Sequence, residues 1–176
     1  MKKNIIVATL VAASAMTTAS AFAADGKINF TGSVLDTSCN VTNASTGSLD
    51  VVMGQVSKSA FTTSNTVAAT KFTLQVTGCP TTTDGGVTVS FDGTSVAGDN
   101  SILALTKGVG VATGVGIQLS DASQSVLPLN TTSAKYNLTS GAANLDFVAR
   151  YIATGAAADV TSGAANAVAS FSIIYN

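Results

Sequence analysis

Lys27-Ile28-Asn29-Phe30-Thr31-Gly32-Ser33-Val34 alternates without a break: Ile28, Phe30, Gly32 and Val34 fall on one side, and the polar residues on the other. A period of two marks a β-strand with one face to bury. The C-terminus repeats the pattern, with Ala167, Ala169, Phe171, Ile173 and Tyr175 alternating against Asn166, Val168, Ser170, Ser172 and Ile174. Strands at the two ends of a β domain are its natural sheet edges, and an unblunted edge is a pairing site. The two ends are therefore where function is expected.

Between them run further short strands with the same period: Leu49/Val51/Met53, Phe72/Leu74/Val76, Val87/Val89/Phe91, Val115/Ile117/Leu119, and Leu145 to Ala153. Gly54, Gly78-Cys79-Pro80, Asp84-Gly85-Gly86, Asp92-Gly93 and Ser120-Asp121 punctuate them as turns or strand ends. Ile102 to Leu105 is a short apolar run, and Ser57 to Thr66 a polar stretch of no assigned structure. Pro128, which lacks an N–H, makes Val126 to Leu129 an edge or a loop. Gly108 to Gly114 and Gly155 to Gly163 read as loops, and no segment carries a capped helical period. Short strands at this spacing with turns between them predict an all-β sandwich.

Composition agrees. All nine acidic residues are aspartate, histidine and tryptophan are absent, and Arg150 is the single arginine. Thr and Val favour strands, and Asp and Gly favour turns, whereas the missing glutamate is a helix former.

The first residues read as a secretory signal. Lys2 and Lys3 precede an apolar run from Ile5 to Ala15, and Ala21-Phe22-Ala23 offers a small-x-small cleavage site. The apolar run is shorter than the ~20 residues that span a bilayer. Cleavage after Ala23 would leave a mature chain of roughly 150 residues, enough for one domain with a real core. It would also remove two of the eight basic residues, leaving six against nine acidic ones. With no basic run and no basic–aromatic interleaving, nucleic acid is not an expected partner. In an exported chain the two cysteines, Cys39 and Cys79, most simply form one disulfide, the alternative being a reactive thiol or metal pair.

Catalytic constellations do not assemble. Without histidine, Ser/His/Asp and Cys/His arrangements are unavailable. Ser57-Lys58-Ser59 lies in a polar stretch with nothing to desolvate the lysine. The aspartates sit mostly beside Gly, Asn or Ser, where turn chemistry explains them. Asp92-Gly93 through Asp99-Asn100 lacks the ligand spacing and closing Glu of a calcium loop and reads as a hairpin loop. Gly108-Val109-Gly110 with Gly114 lacks the Lys-Ser/Thr and the helix of a phosphate loop. No cofactor and no metal is expected, and a structural or binding role is favoured over an enzyme.

Five segments then stand in order: Gly26 to Val34, Cys39-Asn40-Val41, Gly78-Cys79-Pro80, Phe147 to Gly155, and Ser170 to Asn176 with its penultimate Tyr175. In that combination the chain resembles the type 1-like major pilins of chaperone–usher fimbriae. The resemblance implies an incomplete immunoglobulin-like Greek-key sandwich lacking its last strand, completed in trans by a donor strand. It implies a division into a signal peptide (1–23), a donor-strand extension (24–36) and a pilin domain (37–176). Within the extension Ile28, Phe30 and Val34 would fill pockets of the next subunit, Gly32 would lie where the groove is shallow, and Gly26 would take the last position. Ala169, Phe171, Ile173, Tyr175 and Asn176 would form the strand at the groove edge, with the Asn176 carboxylate anchored by a chaperone. The implied partners are neighbouring pilin subunits, a periplasmic chaperone and an outer-membrane usher, with the product exported through the periplasm to the cell surface. Alternatives are a minor adaptor or terminating pilin of the same fibre, or a carbohydrate-binding adhesin.

Overall fold

The computed structural model describes residues 27–44, 47–80 and 86–175. The chain divides after Val34 into a leading unit and a domain, Leu35–Asn176. In the leading unit the described residues, 27–34, form no strand. Their alternation is that of a strand, but a strand is defined by its neighbour, and none is paired with them.

Among the described residues of the domain there are eight strands: β1 (Asn40–Val41), β2 (Thr66–Thr77), β3 (Val87–Asp92), β4 (Ser95–Val96), β5 (Asp99–Leu103), β6 (Val115–Asp121), β7 (Ala143–Ala153) and β8 (Ser170–Tyr175). They form a six-stranded sheet in the order β1-β2-β7-β6-β5-β4 and a two-stranded sheet of β3 and β8, with every pairing antiparallel. The smaller sheet is widened by bridges from β3 to the 132–136 segment, Val87 to Tyr136 and Ser90 to Thr132.

The alternation read from the sequence places the core. Leu74 and Val76 of β2, Val87 and Val89 of β3, and Leu145 and Phe147 of β7 are fully buried between the sheets. Phe72, Phe91 and Tyr136 pack around Phe147, with ring centroids 5.6, 5.0 and 5.7 Å from it. The contacts of Phe91 and Tyr136 with Phe147 are edge-on, an arrangement that adds to the area they bury. A Cys39–Cys79 disulfide joins the residue before β1 to the turn after β2.

Several readings need correcting. Leu49, Val51 and Met53 do not form a strand, although they are half-buried while Asp50 and Val52 between them are exposed. The C-terminal strand starts at Ser170; upstream, the chain bonds instead to the loop before β6, through Ala112 N–H to Ala164 O (2.9 Å) and Thr106 N–H to Asn166 O (2.8 Å). The polar stretch after Gly54 holds a 3₁₀ turn, Lys58–Thr62, capped by the Ser57 side chain and burying Phe61. Leu127 and Leu129 flank Pro128 in a loop, as read, yet both belong to the core.

Candidate functional site: an open sheet edge

β3 is bonded on both sides. Val87 exchanges backbone hydrogen bonds with Tyr136 (2.9 and 2.8 Å), Ser133 N–H donates to Val89 O (2.8 Å), and Asn130 N–H donates to Phe91 O (2.7 Å). With those groups spent, antiparallel geometry sends the ladder to β8 through Thr88, Ser90 and Asp92, which register with Ile174, Ser172 and Ser170. The N–H and C=O groups of Phe171 and Ile173 therefore point away from β3, along the far edge of β8. Among the described residues, no strand pairs with that edge.

Burial shows the same vacancy. Val87, Val89 and Phe91 register with Tyr175, Ile173 and Phe171 on the core-facing side. The three β3 residues are buried, whereas their β8 partners are only half-buried, as are Ala165, Ala167 and Ala169 upstream. All six of these upstream and β8 residues pack against the core and still leave part of their surface open.

Beside the upstream end of β8 lies a cleft of about 440 Å³. Gly54, Gln55, Val56 and Lys58 line one part of it and residues 160–166 another, with Phe61, Val115 and Tyr151 also reaching it. Two strips of chain thus bound a cleft of mixed polar and apolar lining, on the segment that leads toward β8.

The far end of β8 is pinned. Cys39 N–H donates to the Tyr175 hydroxyl at 2.8 Å, so the penultimate residue is tied to the disulfide where the chain enters the domain. Residues 136 positions apart meet there, a contact that no local pattern in the sequence announces.

In the leading unit the pocket-filling candidates are displayed to solvent. Ile28 is 80 %, Phe30 92 % and Val34 99 % exposed, and nothing lies within 4 Å of where a Gly32 side chain would begin. Three large apolar side chains at alternate positions of an unpaired segment are costly to leave in water, each by about 1.5–3 kcal/mol. Gly26 and Asn176 fall outside the described residues. Among the described residues no group of acidic, cysteine or histidine side chains is placed to hold a metal ion.

Comparison with known proteins agrees with this geometry. The family model described as fimbrial protein matches residues 28–176. The probable major fimbrial subunit LpfA of Escherichia coli O157:H7 is 34 % identical over 176 residues, covering 99 % of this chain and 97 % of that protein. The type-1 fimbrial protein A chain of Escherichia coli K12 is 36 % identical over 184 residues, with 98 % of each covered. A solved chaperone–usher pilus, whose structure bears on rod uncoiling, superposes with a TM-score of 0.65 at 27 % identity, covering 87 % of this chain and 96 % of that one. The sandwich is thus the immunoglobulin-like pilin fold that lacks a strand, and the chain belongs to the fimbrial protein family as a structural subunit of a bacterial surface fimbria.

Proposed function

We propose that residues 24–36 are a donor strand which completes the sheet of a neighbouring copy, and that β8 borders the groove receiving such a strand. Ile28, Phe30 and Val34 fill the groove, Gly32 passes over its shallow part, and Gly26 ends the row. Before assembly a periplasmic chaperone occupies the same edge, contacting Ala169, Phe171, Ile173, Tyr175 and the Asn176 carboxylate, and an outer-membrane usher exchanges it for the next subunit. Residues 1–23 direct export and are removed. The role is structural, without catalysis.

One observation carries this reading: Phe171, Ile173 and Tyr175 are half-buried opposite buried partners, on a strand whose far edge is unpaired. A missing strand accounts for both facts at once. It would pair with the outward backbone groups of β8 and cover its inward side chains, with main-chain bonds giving affinity and alternate side chains giving fit.

The test is a mature chain lacking residues 24–34. It should still be recovered bound to the chaperone, because its own groove is intact, and it should cap fibres without extending them. Fibre assembly at the wild-type level by this truncated chain overturns the proposal.

A further inference from the structure

The outer face of the six-stranded sheet carries the chain's one arginine in an unusual state. On β7, Leu145, Phe147, Ala149, Tyr151 and Ala153 face the core, so Val148, Arg150 and Ile152 face outward. Val148 and Ile152 are nevertheless buried, and Ile102 of β5 is buried outside the main core as well. Gly116, opposite Ile152 in β6, keeps that face low, because a side chain there would strike Ile102. On the other side of Arg150, β2 bulges between Val67 and Thr70, with Ala68 at φ 53°.

Arg150 lies in this apolar strip half-buried. One terminal nitrogen, Nη2, donates to the Ser120 hydroxyl at 3.0 Å, and Ser120 is fully buried. Nε is buried with no partner. Asp146, the acidic residue on the same face of β7, is taken up by the Thr73 hydroxyl at 2.6 Å. Among the described residues no carboxylate pairs with the guanidinium, and no ion pair forms anywhere else. A guanidinium has five donors in a planar fork suited to a carboxylate. This one has most of its donors free.

We propose that the Arg150 face is a second contact between copies of this chain in the fibre, separate from the donor-strand groove, and that its ligand is an aspartate carboxylate of another copy. Charge complementarity chooses the occupant. Each copy brings one unpaired arginine and an acidic surface made wholly of aspartate, including the exposed Asp50, Asp92 and Asp99. Arginine is also among the residues on which interface energy concentrates. The inference rests on the chain being a fibre subunit, but not on which residues donate the strand.

The test places a photo-crosslinking amino acid at Gln118, the β6 neighbour of Arg150, in subunits assembled into whole fibres. A crosslink to an aspartate-bearing peptide of another copy is expected, weakened about tenfold by Arg150→Gln, as the loss of a charge-assisted pair implies. Arg150→Gln subunits should still polymerise into detergent-resistant chains. Arg150→Asp should lose the crosslink too, and regain it when one exposed aspartate is changed to arginine. Crosslinks confined to the subunit's own chain, or undiminished by Arg150→Gln, overturn the proposal. Failure of wild-type subunits to form detergent-resistant chains would count instead against the donor-strand reading.

Discussion

Val89 and Ile173 face each other across one antiparallel ladder, yet Val89 is fully buried and Ile173 is half-buried. The difference lies in their flanks. β3 has β8 on one side and the 130–136 segment on the other, whereas β8 has β3 alone among the described residues. Exposure that follows the edge of a sheet calls for another strand in its plane, because a lid laid over the face would leave the edge groups unpaired.

If the proposed donor strand fills that edge, the importance of Phe30 depends on assembly. In the single chain Phe30 is 92 % exposed, so Phe30→Ala should change the stability of the chaperone-bound subunit by less than about 0.5 kcal/mol. Seated in a neighbour's groove, the same truncation should cost about 3–5 kcal/mol. Unfolding midpoints of the subunit and detergent dissociation of the fibre measure the two cases. Equal effects in both would place Phe30 in its own domain.

The strands that carry the core were legible because each keeps its alternation: Phe72/Leu74/Val76, Val87/Val89/Phe91 and Val115/Ile117/Leu119 all bury the face that period predicts, Phe72 less deeply than the rest. Leu127 and Leu129 were not. Pro128 between them rules out a regular strand, and backbone bonds to two other strands hold them at the core, Leu127 N–H to Leu119 O of β6 (2.9 Å) and Leu129 N–H to Asn100 O of β5 (2.8 Å). Phe61 was hidden among Ser and Thr because a 3₁₀ turn of five residues is too short to show a period. The site divides in the same way. The alternating ends of the chain are visible in the sequence, whereas the unpaired side of β8 depends on which strand lies beside which.

Leu129 tests whether that loop belongs to the core. It is 2 % exposed, so Leu129→Ala should lower unfolding stability by about 2–5 kcal/mol. Val126→Ala, three residues away and 43 % exposed, should cost clearly less, within about 1 kcal/mol. Urea titration of the chaperone-free domain separates the two, and a mild effect at Leu129 would mean the loop packs loosely.

Cys39→Ser removes a crosslink between residues 40 positions apart, which the chain-entropy model values at about 4 kcal/mol. Periplasmic yield should fall sharply, and the subunit that survives should unfold at lower denaturant. Yield and midpoint like those of the wild type would show that the sandwich does not depend on the link.

Tyr175→Phe keeps the ring and deletes the hydroxyl that accepts from Cys39 N–H. Leaving that part-buried donor unsatisfied should cost about 1–3 kcal/mol and speed exchange of the Cys39 amide. The same amide should exchange at the wild-type rate in Tyr136→Phe, whose hydroxyl bonds elsewhere. Hydrogen exchange read residue by residue distinguishes the two, and unchanged protection at Cys39 in Tyr175→Phe would mean that the hydroxyl is not what shields that amide.

Tyr136 gives the domain a built-in alkaline limit. Its hydroxyl donates to Asp146 O at 2.6 Å, and its ring packs against Phe147. Burial, reinforced by the negative charges of Asp121 and Asp146, pushes the hydroxyl from 10.0 up to about 12. Between those values the unfolded chain has released a proton that the folded chain keeps. The stability tied to that proton is therefore complete below pH 10 and declines as pH rises toward about 12. Burial pushes the Tyr151 hydroxyl up as well, so it contributes in the same direction. Tyr136→Phe should lower stability at neutral pH by removing the bond to Asp146, while its stability falls less steeply above pH 10 than that of the wild type. Urea midpoints followed from neutral pH to about 12 compare the two slopes, and parallel slopes would show that Tyr136 ionises alike in the folded and unfolded chain.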